Sequence, residues 1–89
     1  MARNFVKDPD AVLDYEWDWA AWLGADTIAS HTVTAEAGLT VDSSEATTTA
    51  VTAWLSGGSV GQSYPVTCHV VTAAGREDDR TVTVTVMER

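Results

Sequence analysis

Hydrophobic and polar positions alternate most clearly between Leu13 and Leu23, LDYEWDWAAWL. Leu13, Tyr15, Trp17 and Trp19 interleave with Asp14, Glu16 and Asp18. A period of two sets the carboxylates on one face of a strand and the large apolar groups on the other. On a helix the same residues would scatter acids and aromatics around the whole cylinder, so the pattern predicts a half-buried strand. Trp17 and Trp19 share its apolar face, and either fits the centre of a core. Ala20-Ala21-Trp22-Leu23 stops at Gly24 and is too short for a stable helix. It predicts a single turn crossing from one sheet to another, with Trp22 and Leu23 capping an end of the core.

Further along, the alternation weakens and then returns. In Thr27 to Ala35, Ile28, Ser30, Thr32 and Thr34 face one way and Ala29, His31, Val33 and Ala35 the other. Neither set is strongly apolar, which predicts a strand towards a sheet edge. Glu36-Ala37-Gly38 marks a turn, and Leu39 and Val41 frame a short strand ending in Asp42-Ser43-Ser44. From Thr47 to Leu55, Thr49, Val51, Ala53 and Leu55 oppose Thr48, Ala50, Thr52 and Trp54. If the Val51 face is the core, Trp54 points outward and becomes a contact residue; the alternative lays it flat under a loop. Gly57-Gly58 reads as a turn signal.

The strongest strand signal follows. Tyr64, Val66, Cys68, Val70 and Thr72 alternate with Pro65, Thr67, His69 and Val71, and Val82, Val84 and Val86 with Thr81, Thr83 and Thr85. Joined by a turn from Ala73 to Asp79, they predict a long antiparallel hairpin. Tyr64 at its entrance matches the tyrosine corner of immunoglobulin-type sandwiches. Residues 1–10 hold few apolar groups and read as an extended arm ending in a turn at Asp8-Pro9-Asp10, with residues 11–89 as one domain. Its bases Arg3 and Lys7 suit pairing with a neighbouring subunit's acidic face. Six to seven short strands with no long helix predict an all-β, immunoglobulin-like antiparallel β-sandwich, with a small open barrel as the second choice.

Composition narrows the partners more than the fold. Thirteen acids against five bases give a formal charge of −8, which repels phosphate backbones and anionic lipid. Nucleic acid and membrane are therefore not expected partners, although an acidic balance also serves solubility. No apolar run nears the ~20 residues of a membrane span, and the first residues lack the apolar stretch of a signal peptide, so synthesis in a cytoplasm is expected. Cys68 is the only cysteine, which excludes an intramolecular disulfide, and its place between Val66 and Val70 suits a small buried hydrophobe.

Candidate chemistry is sparse. Asp14, Glu16 and Asp18 stand about 7 Å apart at successive steps of one strand face. Such a row suits a divalent cation or an acid and base pair, but calcium also wants carbonyls from a shaped loop, and glycosidase carboxylates flank a cleft. A solvated strand face is the default reading. His31 and His69 lack a nearby acid and nucleophile in sequence, and neither a nucleophile elbow nor a phosphate loop occurs. No catalytic, cofactor-binding or metal residue is assigned, and no enzyme is expected. The mixed charges Arg76, Glu77 and Asp78 at the hairpin tip suit a docking tip.

Three segments together resemble a known family: KDPDAVLDYEWDWAAWLGADTIAS at 7–30, AWLSGGSVGQSY at 53–64 and VTAAGREDDRTVTVTVMER at 71–89. They are similar to the small immunoglobulin-like structural proteins of tailed-bacteriophage virions described as fibre-tail adaptors. The resemblance covers about four-fifths of the chain and is least distinctive from Ala35 to Thr52. Its most specific parts are Asp-Trp-x-x-Trp-Leu-Gly at Asp18 to Gly24 and Trp-Leu-Ser-Gly-Gly at Trp54 to Gly58. It implies a non-enzymatic virion component without cofactors, assembled in the host cytoplasm. The implied partners are other virion proteins (tail, neck, fibre or capsid) and symmetry-related copies of itself. Capsid decoration and glycan binding are the alternative roles. Contacts are expected at Trp54, at the Gly24 to Thr27 loop, at Arg76, Glu77 and Asp78 in the 74–80 hairpin, and at Arg3 and Lys7.

Overall fold

The computed structural model describes residues 3–88, with side chains from Val6 onward. Seven strands and one helical turn follow in order: β1 (Arg3–Lys7), β2 (Leu13–Asp18), α1 (Ala20–Leu23), β3 (Ile28–Ala35), β4 (Leu39–Ala46), β5 (Ala50–Gly57), β6 (Ser63–Thr72) and β7 (Glu77–Val86). They form a four-stranded sheet in the order β1-β7-β6-β3 and a three-stranded sheet in the order β2-β5-β4. Strands two, five and four on one side, and seven, six and three on the other, are the connections of an immunoglobulin-type sandwich.

The core is what the alternation demands. Trp17, Val51, Ala53 and Leu55 from one sheet meet Val66, Cys68, Val70 and Val84 from the other, all essentially inaccessible. Trp19 is fully buried and Trp17 is 3% exposed, so both rings belong to the core and Trp19 sits deeper. Antibody domains join their second and sixth strands by a disulfide. Here β2 supplies Trp17 to the core, and β6 supplies Cys68 as a free thiol. Burial pushes that thiol's pKa up to about 11, against a smaller pull from the neighbouring Trp19 indole. The Tyr64 hydroxyl accepts the Ser59 N–H at 2.9 Å, closing the predicted tyrosine corner. The single turn α1 carries the chain from one sheet to the other, as its length required.

Four expectations need correcting. Residues 3–7 are not a detached arm: β1 pairs with β7, Arg3 opposite Val82 and Lys7 opposite Val86, and this pairing is parallel while every other is antiparallel. The arm therefore joins its own chain's sheet, because the outer edge of β7 offers unpaired amides next to it. Strand β4 does not stop at Asp42 but runs to Ala46, with a register shift between Val41 and Ser43. A bulge lets turn-forming residues continue along an exposed edge. A second shift between Ile28 and Ser30 settles the ambiguous face of β3, placing Ile28 with His31, Val33 and Ala35 toward the interior. Glu77, Asp78 and Asp79 belong to β7 itself, so the hairpin turn is shorter than expected.

Gly57-Gly58 also does more than turn the chain. At Gly58, whose φ is +92°, a Cβ would meet Val86 Cγ2 at 2.5 Å and the Tyr64 ring at 3.3 Å. Only glycine takes this conformation against those two core side chains.

Candidate protein-contact surface

With the Val51 face in the core, Trp54 does point away from it and is half-buried on the outer face of the three-stranded sheet. Across the ladder it stands opposite Asp14 of β2 and Ser43 of β4. Ser43, Ser44 and Glu45 form a shallow depression of about 230 Å³ beside its ring. Asp14, Glu16 and Asp18 are exposed along β2, and Asp42, which accepts the Ser56 hydroxyl at 2.8 Å, and Glu45 along β4. An amphipathic ring thus lies among acids that make no ion pair with a base among the described residues.

The bases whose side chains are described are engaged elsewhere. The Lys7 ammonium is fully buried and donates to the carbonyls of Asp8 and Gly57, both at 2.8 Å, and of Pro9 at 3.5 Å. Expected as a contact, it instead ties β1 to the end of β5 from inside the domain. The Arg3 side chain lies outside the described residues. Arg76 stacks over Trp22 at 4.5 Å, donates to Leu23 O at 3.0 Å and Trp22 O at 3.4 Å, and pairs with Asp26 at 3.1 Å. It closes the C-terminal carbonyls of α1 rather than reaching outward. Arg80 stacks over Trp19 at 4.2 Å and donates to Asp18 O at 2.8 Å.

Asp26 gathers this end of the sandwich. Its carboxylate accepts the N–H groups of Thr27 and Ala74 at 2.9 and 3.1 Å, and takes the Arg76 Nε at 3.1 Å. The Thr72 hydroxyl first, then these donors, draw its pKa down to about 2, against a desolvation that pushes it up. The Gly24 to Thr27 loop and the hairpin turn, expected as separate contacts, are in fact latched to each other.

The hairpin register also brings together groups that the sequence keeps apart. His69 lies opposite Asp79, bonds its carboxylate through Nδ1, and meets Glu77 at 3.1 Å through Nε2. Asp79 chiefly, with Glu77, raises the His69 pKa above its usual value. Glu77 therefore faces a histidine of its own sheet, and Asp78 is exposed. His31 shares a hydrogen bond with Ser44 at 3.1 Å, lacing β3 to β4. Among the described residues, no group of three or more His, Cys, Asp and Glu is placed to hold a metal ion, and no helix is long and apolar enough to cross a membrane.

The nominated residues do not converge. Lys7 and Arg76 lie at opposite ends of a molecule 42 Å long, and Trp54 lies on a broad face between them. Sequence reasoning missed Arg80 and Asp26. The available signal was the pairing of Trp19 and Trp22, three residues apart, with Arg76 and Arg80, four apart.

Two packed sheets joined in this order define a small immunoglobulin-like structural module. Its most specific sequence segments hold the two ends of the sandwich: Asp18 to Gly24 is locked by Arg76 and Arg80 at one, and Trp54 to Gly58 is tied to Lys7 at the other. The family described as podophage GP4 fiber-tail adaptor protein gp77 matches residues 7–85, and the chain belongs to it. Among curated proteins none matches the chain. The family is one of phage structural adaptors, and membership implies a structural component of the phage virion.

Proposed function

We propose that the chain is a non-enzymatic adaptor that joins tail or neck components to fibres through the outer face of its three-stranded sheet, with Trp54 as the anchor. The supporting observation is that face itself: a half-buried tryptophan among Asp14, Glu16, Asp18, Asp42 and Glu45. Buried aromatic anchors ringed by polar groups carry most of the energy of protein interfaces. The partner surface is basic, since the described bases of this chain are held by its own carbonyls and rings. Copies of the chain stand around a symmetric scaffold, separated by their charge, and assembly takes place in the host cytoplasm. Nucleic acid and membrane are not partners of so acidic a surface.

The test is a phage carrying Trp54→Ala. The purified variant melts within a few degrees of the parent, because Trp54 lies outside the core, while fibre-bearing particles are lost. Normal particles with normal fibre content would remove the Trp54 face from the interface.

One observation favours a second reading, a glycan-binding module on the virion surface. Ser43 and Glu45 set a hydroxyl and a carboxylate beside the Trp54 ring, the groups a sugar stacks on and bonds to. A glycan array separates the two readings: binding abolished by Trp54→Ala favours the module, and an empty array the adaptor.

A further inference from the structure

Three of the four tryptophan rings meet another ring or a cation, and two of them do so in the same way. Arg76 lies over Trp22 at 4.5 Å and donates its Nε–H to the Asp26 carboxylate at 3.1 Å. Arg80 lies over Trp19 at 4.2 Å and donates to Asp18 O at 2.8 Å. Each time a guanidinium sits over an indole face while an oxygen beside it takes an N–H. Trp17 packs edge-on against Tyr15, with centroids 4.9 Å apart. Trp54 carries neither a ring nor a cation among the described residues. Its surroundings nonetheless match those of Trp19 and Trp22. Because β5 is the central strand of its sheet, a strand flanks Trp54 on each side. On β2, Asp14 stands directly opposite and Glu16 one diagonal step along; on β4, Ser43 stands opposite and Glu45 on the diagonal. Opposite residues on one face are about 5 Å apart and diagonal ones about 7–8 Å, so a cation centred over the ring has carboxylates within reach on both sides. The depression of about 230 Å³ beside Trp54 opens towards Glu45.

We propose that this depression receives an arginine side chain of the basic partner, its guanidinium laid over Trp54 and its N–H groups shared between Glu45 and Asp14. The proposal rests on the adaptor reading above and names the residue type that the partner brings. A guanidinium is flat, weakly hydrated and presents five donors in a fork, so it covers a ring and reaches a carboxylate at once. The ammonium of a lysine is a compact, strongly hydrated point charge, and it must shed that water to lie on a ring. A second copy of this chain is a poor occupant. Its Arg76 and Arg80 are already held over Trp22 and Trp19, and it would bring its own acids to an acidic face. A sugar would use the ring but leave Asp14, Glu16 and Glu45 without a counter-charge. An arginine answers the ring and the acids together.

The full-length chain is titrated with three end-blocked peptides, Gly-Ser-Arg-Ser-Gly and the same sequence with lysine or citrulline at its centre, while NMR follows the four indole N–H resonances. The arginine peptide moves the Trp54 resonance. The lysine peptide binds at least about threefold more weakly, and the citrulline peptide, flat but uncharged, more weakly still. Glu45→Gln, an exposed change that leaves the melting temperature near the parent's, weakens the arginine peptide about twofold and narrows its lead over lysine. Trp54→Leu, which keeps an apolar group on the face, removes that lead altogether. Equal binding of arginine and lysine, equal binding of arginine and citrulline, or an arginine preference that survives Trp54→Leu would each overturn the proposal. If no peptide moves the Trp54 resonance while Trp54→Ala still prevents assembly, the arginine proposal falls and the adaptor reading stands. If the arginine peptide binds as stated while Trp54→Ala particles assemble normally, the arginine site stands and the adaptor reading of this face falls.

Discussion

Lys7 has the least expected position of any side chain here, because an ammonium group without exposure normally needs a carboxylate and this one has three carbonyls. Lys7→Met keeps the buried stem and leaves the Gly57 and Asp8 carbonyls unpaired, a cost of about 1–3 kcal/mol. For a domain of this size that lowers the melting temperature by roughly 5–15 °C, read by circular dichroism. Arg80 covers the deepest ring of the core, so Arg80→Ala removes a cation–π contact of about 1–2 kcal/mol and red-shifts tryptophan emission as Trp19 meets water. Two titrations have opposite signs. The His69 pKa is raised on folding, so its contribution is fully present below the unfolded value of about 6.5 and is lost as pH rises through the folded value. His69→Gln accordingly narrows the difference in melting temperature between about pH 6 and about pH 8. The Asp26 pKa is lowered to about 2 from 3.8, so its contribution is present above that unfolded value and disappears as pH falls through the folded one. Asp26→Asn melts below the parent at neutral pH, and the gap closes in acid.

At the scale of elements, legibility followed the strength of alternation. Strand β2 and the β6–β7 hairpin could be read because large apolar groups occupy every second position, and α1 because four residues between a strand and Gly24 leave room for one turn only. Strand β1 was hidden, since five residues with a buried lysine carry no period, and what makes them a strand is the edge of β7 lying beside them. The ends of β4 and the face of β3 were hidden by bulges, which break the parity on which sequence reading depends. A detached arm and an integral strand predict different outcomes on removal. Deleting residues 1–7 takes away the Lys7 tie and bares the Val82–Val86 edge, a run of alternating valine and threonine suited to intermolecular pairing. The truncated protein melts lower and scatters light on standing, whereas loss of a loose arm would change neither.

For the whole molecule, the segments that carry the family resemblance build the frame, and the candidate contact groups lie partly outside them. Trp19, Trp22, Arg76 and Arg80 lock one end of the sandwich, and Lys7, Gly57, Gly58 and Tyr64 the other. Ser43 and Glu45, which complete the Trp54 face, come from the stretch between Ala35 and Thr52 where the resemblance is least distinctive. This is why the sequence could indicate a sandwich and a virion role while leaving the contact surface open: contacts depend on which outward groups a bulged edge strand brings beside one ring. The charge has a matching consequence. With −8 on the chain and its described bases engaged internally, binding to a basic neighbour weakens as salt rises past the point where the screening length falls below about 10 Å. The most direct measurement of the central claim is a cryo-electron microscopy map of the intact particle at side-chain resolution. The account predicts the Trp54 ring covered by a basic surface of a tail or fibre protein, and a map showing the three-stranded sheet bare, with every contact made by the ends of the sandwich, would contradict it.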